Sequence, residues 1–185
     1  PRILDSEKNV AVPATLFRLF DLFAYWTGAA IALETVNWDQ TTGSITAATA
    51  AAPCVVTSPA PGLSNGAIVG VAGITGTLGT SASNGLNGTV WRVANVAANT
   101  FECEGSNTAG LTYTSGGTWY TVPNTRATAL AAQDGVWCKS GDPSRRYLGT
   151  GMTTGTSGQT ECVFGDIDTP ASWLLWNHYH PDAVV

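Results

Sequence analysis

Apolar and polar positions alternate in short runs along most of this chain, at the period of two that half-buried strands require. "LFDLFAYW" and "AIALETVNW" stand near the start, "PCVVTS", "AIVGVAGI", "GTVWRVANV", "TFECEG" and "TWYTV" in the middle, and "GVWCKSG", "RRYLGTG" and "SWLLWNHYH" toward the end. Each is strand-length and rich in β-branched or aromatic residues. Turn signals such as "PGLSNG", "NGLNG" and "SGG" separate them. One segment departs from this pattern. "TRATALAAQDG" carries alanines and leucine and stops at Gly135, which predicts a single short helix. The fold class expected is all-β.

Charge divides the chain into zones. Residues 43–121 hold only Arg92, Glu102 and Glu104 as charged side chains, and all the remaining charge lies in the flanks. Five predicted strands fall inside that neutral zone, enough for a small β-sandwich or barrel. The flanks, 1–42 and 122–185, contribute the other strands. The organisation expected is a small β-domain, residues 43–121, inserted into a second antiparallel β-domain made of 1–42 plus 122–185.

Composition narrows the partners. Charged residues make up 11% of 185, with 21 glycines and a formal net charge of −5. Eight basic residues leave no diffuse positive footprint, so nucleic acid and anionic membrane surfaces are not expected partners. "LFRLFDLFAYW" is broken by Arg18 and Asp21, no apolar run reaches the length of a membrane span, and no signal peptide is visible, so no membrane insertion is expected. The first residue, Pro1, fits either methionine removal or a segment of something longer.

The four cysteines, Cys54, Cys103, Cys138 and Cys162, form no CxxC pair and lack zinc-knuckle spacing. Disulfides and buried free thiols are both open to them. Strand placement puts Cys54 and Cys103 in one small sheet, so they are expected to bridge each other. Cys138 and Cys162 would then pair with each other or between subunits, and no bridge would join the two modules.

The densest cluster of basic residues is "GVWCKSGDPSRRYLGTG", residues 135–151. A phosphate-binding loop needs a strand, GxxxxGK[ST] and a following helix; here Lys139 precedes its glycine and Tyr147-Leu148 resumes a strand. The stretch predicts a hairpin, "GVWCKS" and "RRYLGT" joined through "GDPS". Arg145 and Arg146 fall on opposite faces of the second strand, so one is free to take a carboxylate and the other a partner subunit.

In "HYHPD", His178, His180 and Asp182 share one face when extended, as metal ligands at i, i+2 would. No further ligand or general base accompanies them, and the expectation is no metal and no cofactor. No GxSxG elbow, HExxH motif or supported Ser/His/Asp arrangement appears, so an enzyme is not expected. Six of the seven tryptophans lie in predicted strands, where core or interface positions account for them. Trp26, beside Thr27-Gly28 in a predicted turn, is the one expected to be exposed.

The string "TRATALAAQDGVWCKSGDPSRRYLGTGMTTGTSGQTE", with "LFDLFAYWTGAAIALETVNW" before it and "LLWNHYH" after it, resembles a module of virion structural proteins in tailed bacteriophages. In that module a strand like "ETVNW" runs within a few residues into "TRATAL"; here the whole middle zone intervenes. The middle zone in turn resembles a small β-module of phage tail and fibre proteins. After "GQTE" this chain continues as "CVFGDIDTPASW", where the family usually has a polar, charged run. The resemblance implies a non-enzymatic structural protein, made in the host cytoplasm and carried on the particle exterior as a fibre, spike, collar or decoration component. Its partners would be other virion proteins, in a homo-oligomer and by preference a trimer, with Arg145, Arg146 and Trp26 as interface residues. The alternative is a host-receptor or glycan-binding protein on the same particle. Spike tips in such particles use HxH strands about a three-fold axis to hold an ion, the one arrangement that would give His178 and His180 a metal.

Overall fold

A computed structural model of the chain describes residues 9–122 and 125–160. The regular elements among the described residues are strands, apart from one helical turn, and every sheet pairing is antiparallel. The chain divides into two compact units, residues 1–39 with 125–185, and residues 40–124. "SWLLWNHYH", Cys162, His178, His180 and Asp182 lie outside the described residues.

The first unit is a five-stranded sheet. Its strands are β1 (Leu19–Trp26), β2 (Ile31–Asn37), β10 (Leu130–Gln133), β11 (Val136–Lys139) and β12 (Asp142–Met152), in the order β10-β11-β12-β1-β2. β1 is an interior strand, between β12 and β2, and its first half is the buried part of it. Phe20 and Leu22 are buried, and Phe20 lies so close to Gly151 that a Cβ there would sit 2.7 Å from its ring. Asp21 and Phe23 are buried as well.

The helix expected near "TRATALAAQDG" is instead β10 and a tight turn. Leu130–Gln133 pairs with Val136–Lys139, and Asp134 and Gly135 both take positive φ, 51° and 77°. That is the two-residue hairpin turn for which Asp-Gly is selected, and pairing along the sheet outweighs the alanines' helix preference. The following hairpin turns at Ser140-Gly141, earlier than "GDPS", because Lys139 pairs with Asp142 and the next register pair is Cys138 with Arg146. Pro143, Ser144 and Arg145 are absorbed in a bulge in β12, a place where a strand tolerates a proline.

The second unit contains β3 (Thr42–Ser44), β4 (Ala47–Ala48), β5 (Cys54–Thr57), β6 (Ile68–Ala72), the helical turn α1 (Thr77–Thr80), β7 (Val90–Ala94), β8 (Thr100–Cys103) and β9 (Thr118–Val122). The sheet order is β3-β9-β6-β7-β8-β5-β4. Its two edge strands are separated by only Ile45 and Thr46, so the sheet must curl until its edges meet. Ile45 donates to the carbonyl of Gly117 beside β9, and Thr46 donates to Thr57 on β5. Trp119 on β9 and Phe101 on β8 confirm the curl. Three strand steps would hold them about 14 Å apart in a flat sheet, yet their rings meet edge to face at 6.3 Å.

The barrel is filled by Ile45, Val56, Val69, Val71, Ile74, Leu78, Leu86, Val93, Phe101 and Trp119, with Cys54 and Cys103 among them. Trp119 donates from Nε1 to Ser58 Oγ at 2.8 Å, satisfying its polar end in the core. Gly43 lies under its indole; a Cβ there would come within 2.5 Å of the ring. Glycine at that point lets β3 close over the largest core residue.

Candidate binding surface

Two groups of side chains on the first unit combine charge with aromatic surface. The first is built on Asp21. Arg126 donates to its carboxylate twice, Nε to Oδ2 at 2.8 Å and Nη2 to Oδ1 at 3.2 Å, and Thr150 donates to Oδ1 at 2.6 Å. Tyr147 Oη shares a hydrogen bond with Thr150 Oγ1 at 2.7 Å. The Arg126 guanidinium also lies 4.7 Å from the ring centre of Trp38 and 5.5 Å from that of Tyr147. A charge in the middle of a buried strand is costly unless paired. Here every part of the carboxylate is satisfied.

The second group is built on Glu34, the register partner of Phe23. Lys139 donates to Glu34 Oε1 at 2.7 Å, and Arg145 pairs with both Glu34 and Asp142. Arg145 lies 4.5 Å from the ring centre of Tyr25, and the Lys139 ammonium 6.0 Å from that of Phe23. Burial alone would raise the Glu34 carboxyl; the hydrogen bonds and charges of Lys139 and Arg145 outweigh it and hold the group below its ordinary value. A hydrogen bond from Ser144, joined by the charge of Arg145, lowers Asp142, and hydrogen bonding to Glu34 raises Arg145. Phe23 meets Tyr147 edge to face at 5.9 Å, so one aromatic contact links the two groups.

Arg146, next along β12, is exposed and has no ion pair among the described residues. It lies opposite Cys138 and Ala24, and with Gln133, Asp134, Val136 and Pro143 it lines a hollow of about 290 Å³. Trp26 is 60% exposed at the tip of the β1–β2 hairpin, in register with Ile31, itself 37% exposed. Thr27 braces the loop beneath them, donating from N to the carbonyl of Ala30 at 2.9 Å and accepting from Ala30 N at Oγ1. The result is an apolar pair held toward solvent on a rigid turn. β2, which begins there, is one of the two edge strands of the sheet as described.

The cysteines require a correction. Cys54 and Cys103 face each other directly across β5 and β8, both wholly buried, but both are free thiols. The expected bridge is not formed. Both lie in the apolar core of the second unit, where buried free thiols serve as small hydrophobes. Desolvation raises both thiols above their ordinary value, and each is thereby unreactive. Cys138 is likewise a buried free thiol.

Sequence reasoning singled out Arg145, Arg146 and Trp26 but missed Asp21, Glu34, Arg126 and Lys139. For Asp21 a signal existed: an aspartate between leucine, phenylalanine and leucine in a predicted strand implies a buried cation nearby. Nothing in the sequence pointed to Arg126, 105 positions away. Among the described residues no group of three or more His, Cys, Asp and Glu could hold a metal, and no helix is long and apolar enough to cross a membrane. No protein-family model matches this chain, and no curated protein matches it.

Proposed function

We propose that this chain is a non-enzymatic structural component on the exterior of a tailed-bacteriophage virion, assembling with copies of itself, by preference as a trimer, and with other virion proteins. The resemblance carried by "KSGDPSRRYLGT" and its flanks supplies the class. The observation that supports assembly is the exposed Trp26–Ile31 pair at one end of β2, an edge strand among the described residues. An unpaired strand edge beside exposed apolar side chains is the arrangement that a partner chain extends or covers. The non-enzymatic reading is supported by Asp21, Glu34 and Asp142 of the first unit, each engaged by arginine or lysine, so these three are not placed for proton transfer. In this reading the insertion of the second unit between residues 39 and 125 adds a separately folded module to an assembly domain.

Two measurements test the proposal. Peptides of this chain should co-purify with intact particles from a lysate in which the phage is growing; recovery only from the soluble, particle-free fraction contradicts a virion role. Native mass measurement of the full chain should show an oligomer that Trp26→Ser with Ile31→Thr shifts toward monomer. An oligomer unchanged by that pair of substitutions would move the interface elsewhere.

A further inference from the structure

The second unit carries a cleft of about 490 Å³ that belongs to neither group above. It is lined by residues 79–85 with Asn87, Thr89 and Trp91. The size lies within the range of small-molecule sites. No lining side chain is charged, which sets this surface apart from the ion-paired face of the first unit.

The cleft is rigidly built. Leu78 and Leu86 anchor its two sides in the barrel core, and Leu86 N donates to the carbonyl of Leu78 at 3.0 Å. Asn87 clamps Ile74 from both sides of its amide, Oδ1 accepting from Ile74 N at 3.0 Å and Nδ2 donating to its carbonyl at 2.8 Å. Glycine is required where the loop folds on itself: a Cβ on Gly85 would stand 2.6 Å from the Ser81 carbonyl oxygen, and one on Gly79 would stand 2.7 Å from Asn87 Nδ2. Trp91 packs against the core cluster while also lining the cleft, and its Nε1–H is already committed to the Leu86 carbonyl at 3.2 Å. What the indole has left to offer a ligand is apolar ring surface.

Within this fixed frame some polar side chains remain unspent. The hydroxyls of Ser83 and Thr89 and the amide of Asn84 make no hydrogen bond among the described residues, and all three residues are exposed. They can donate and accept without first breaking an internal bond. The geometry points to a binding site for a neutral saccharide: indole surface for the C–H face of a pyranose ring, hydroxyls and one carboxamide for its hydroxyl groups. An anionic ligand would leave its charge unmatched in a lining without cations. Such a site depends on the cleft alone, whether or not the chain is carried on a particle.

Saturation-transfer NMR on the full chain tests it, with methyl glucoside, methyl galactoside and N-acetylglucosamine as probes and glucose 6-phosphate for comparison. Transfer to ring protons of at least one neutral sugar is expected. Ser83→Ala with Asn84→Ala, on the exposed loop, should weaken binding about tenfold, the scale of losing one or two hydrogen bonds. Ser64→Ala, at an exposed position of the second unit outside the cleft, should leave binding unchanged. No transfer to any probe, binding undiminished in the Ser83/Asn84 variant, loss with Ser64→Ala, or tighter binding of glucose 6-phosphate than of the neutral sugars would each overturn the assignment.

Discussion

Arg126 closes a two-pronged hydrogen bond on the carboxylate of Asp21, which is 1% exposed in β1, an interior strand of the first unit. Removing the cation leaves that charge buried and unmatched. Arg126→Ala should therefore destabilise the first unit by about 3 kcal/mol, the low end for breaking a buried pair because Arg126 itself is partly exposed. Replacing both residues by leucine should recover much of the loss. Urea unfolding followed by fluorescence would measure both, and a single variant within about 0.5 kcal/mol of the parent, the range of ordinary surface changes, would refute the account.

Glu34 makes the same unit sensitive to acid. Its folded-state pKa is lowered below 4.5, so the unfolded chain takes up the proton first. The stabilisation is complete above 4.5 and is lost as pH falls through the lower folded value. The stability gap between the parent and Glu34→Gln should accordingly be widest near neutrality and shrink below pH 4.5. Parallel denaturation curves across that range would show it, and a gap that widens on acidification has the wrong sign.

Asp39 and Thr125 form an antiparallel bridge, with N to O distances of 2.7 and 3.0 Å in the two directions. The chain therefore leaves the first unit and re-enters it at adjacent points. Replacing residues 40–124 by an Asn-Gly turn should give a soluble, folded first unit, because a two-residue turn closes such a pair. The excised residues should fold alone, since Thr41 and Thr121 are hydrogen-bonded across their own ends. Chemical-shift dispersion in NMR spectra of each piece is the check; collapse of both pieces would mean that the units depend on one another.

Cys54 and Cys103 should resist alkylation in the native protein. Both thiols are wholly buried, and desolvation raises them, so little thiolate is present at pH 8 and little of that is accessible. Iodoacetamide labelling with peptide mapping should find both unmodified until denaturant is added. Rapid native labelling of either would contradict the burial, and a Cys54–Cys103 bridged peptide would restore the pairing that strand placement suggested.

What the sequence by itself determined is the strand content. Period-two alternation in "LFDLFAYW", "CVVT" and "TWYTV", and the turn residues between such runs, depend only on near neighbours, and the strands stand where these patterns put them. The same locality explains the segment misread as a helix: "LAAQ" favours a helix when read alone, and only the neighbouring strand turns it into β10. Tertiary structure decided everything that rests on distant pairs. Closure of the barrel depends on edges that meet at Ile45 and Thr46. Asp21 finds Arg126, and Glu34 finds Lys139 and Arg145, only after strands far apart in sequence lie side by side. The cleft beside Trp91 arises because Leu78, Leu86 and Asn87 pin a loop of small polar residues whose composition alone signals only a turn. Alternation sets which way a side chain points, and register sets what it meets.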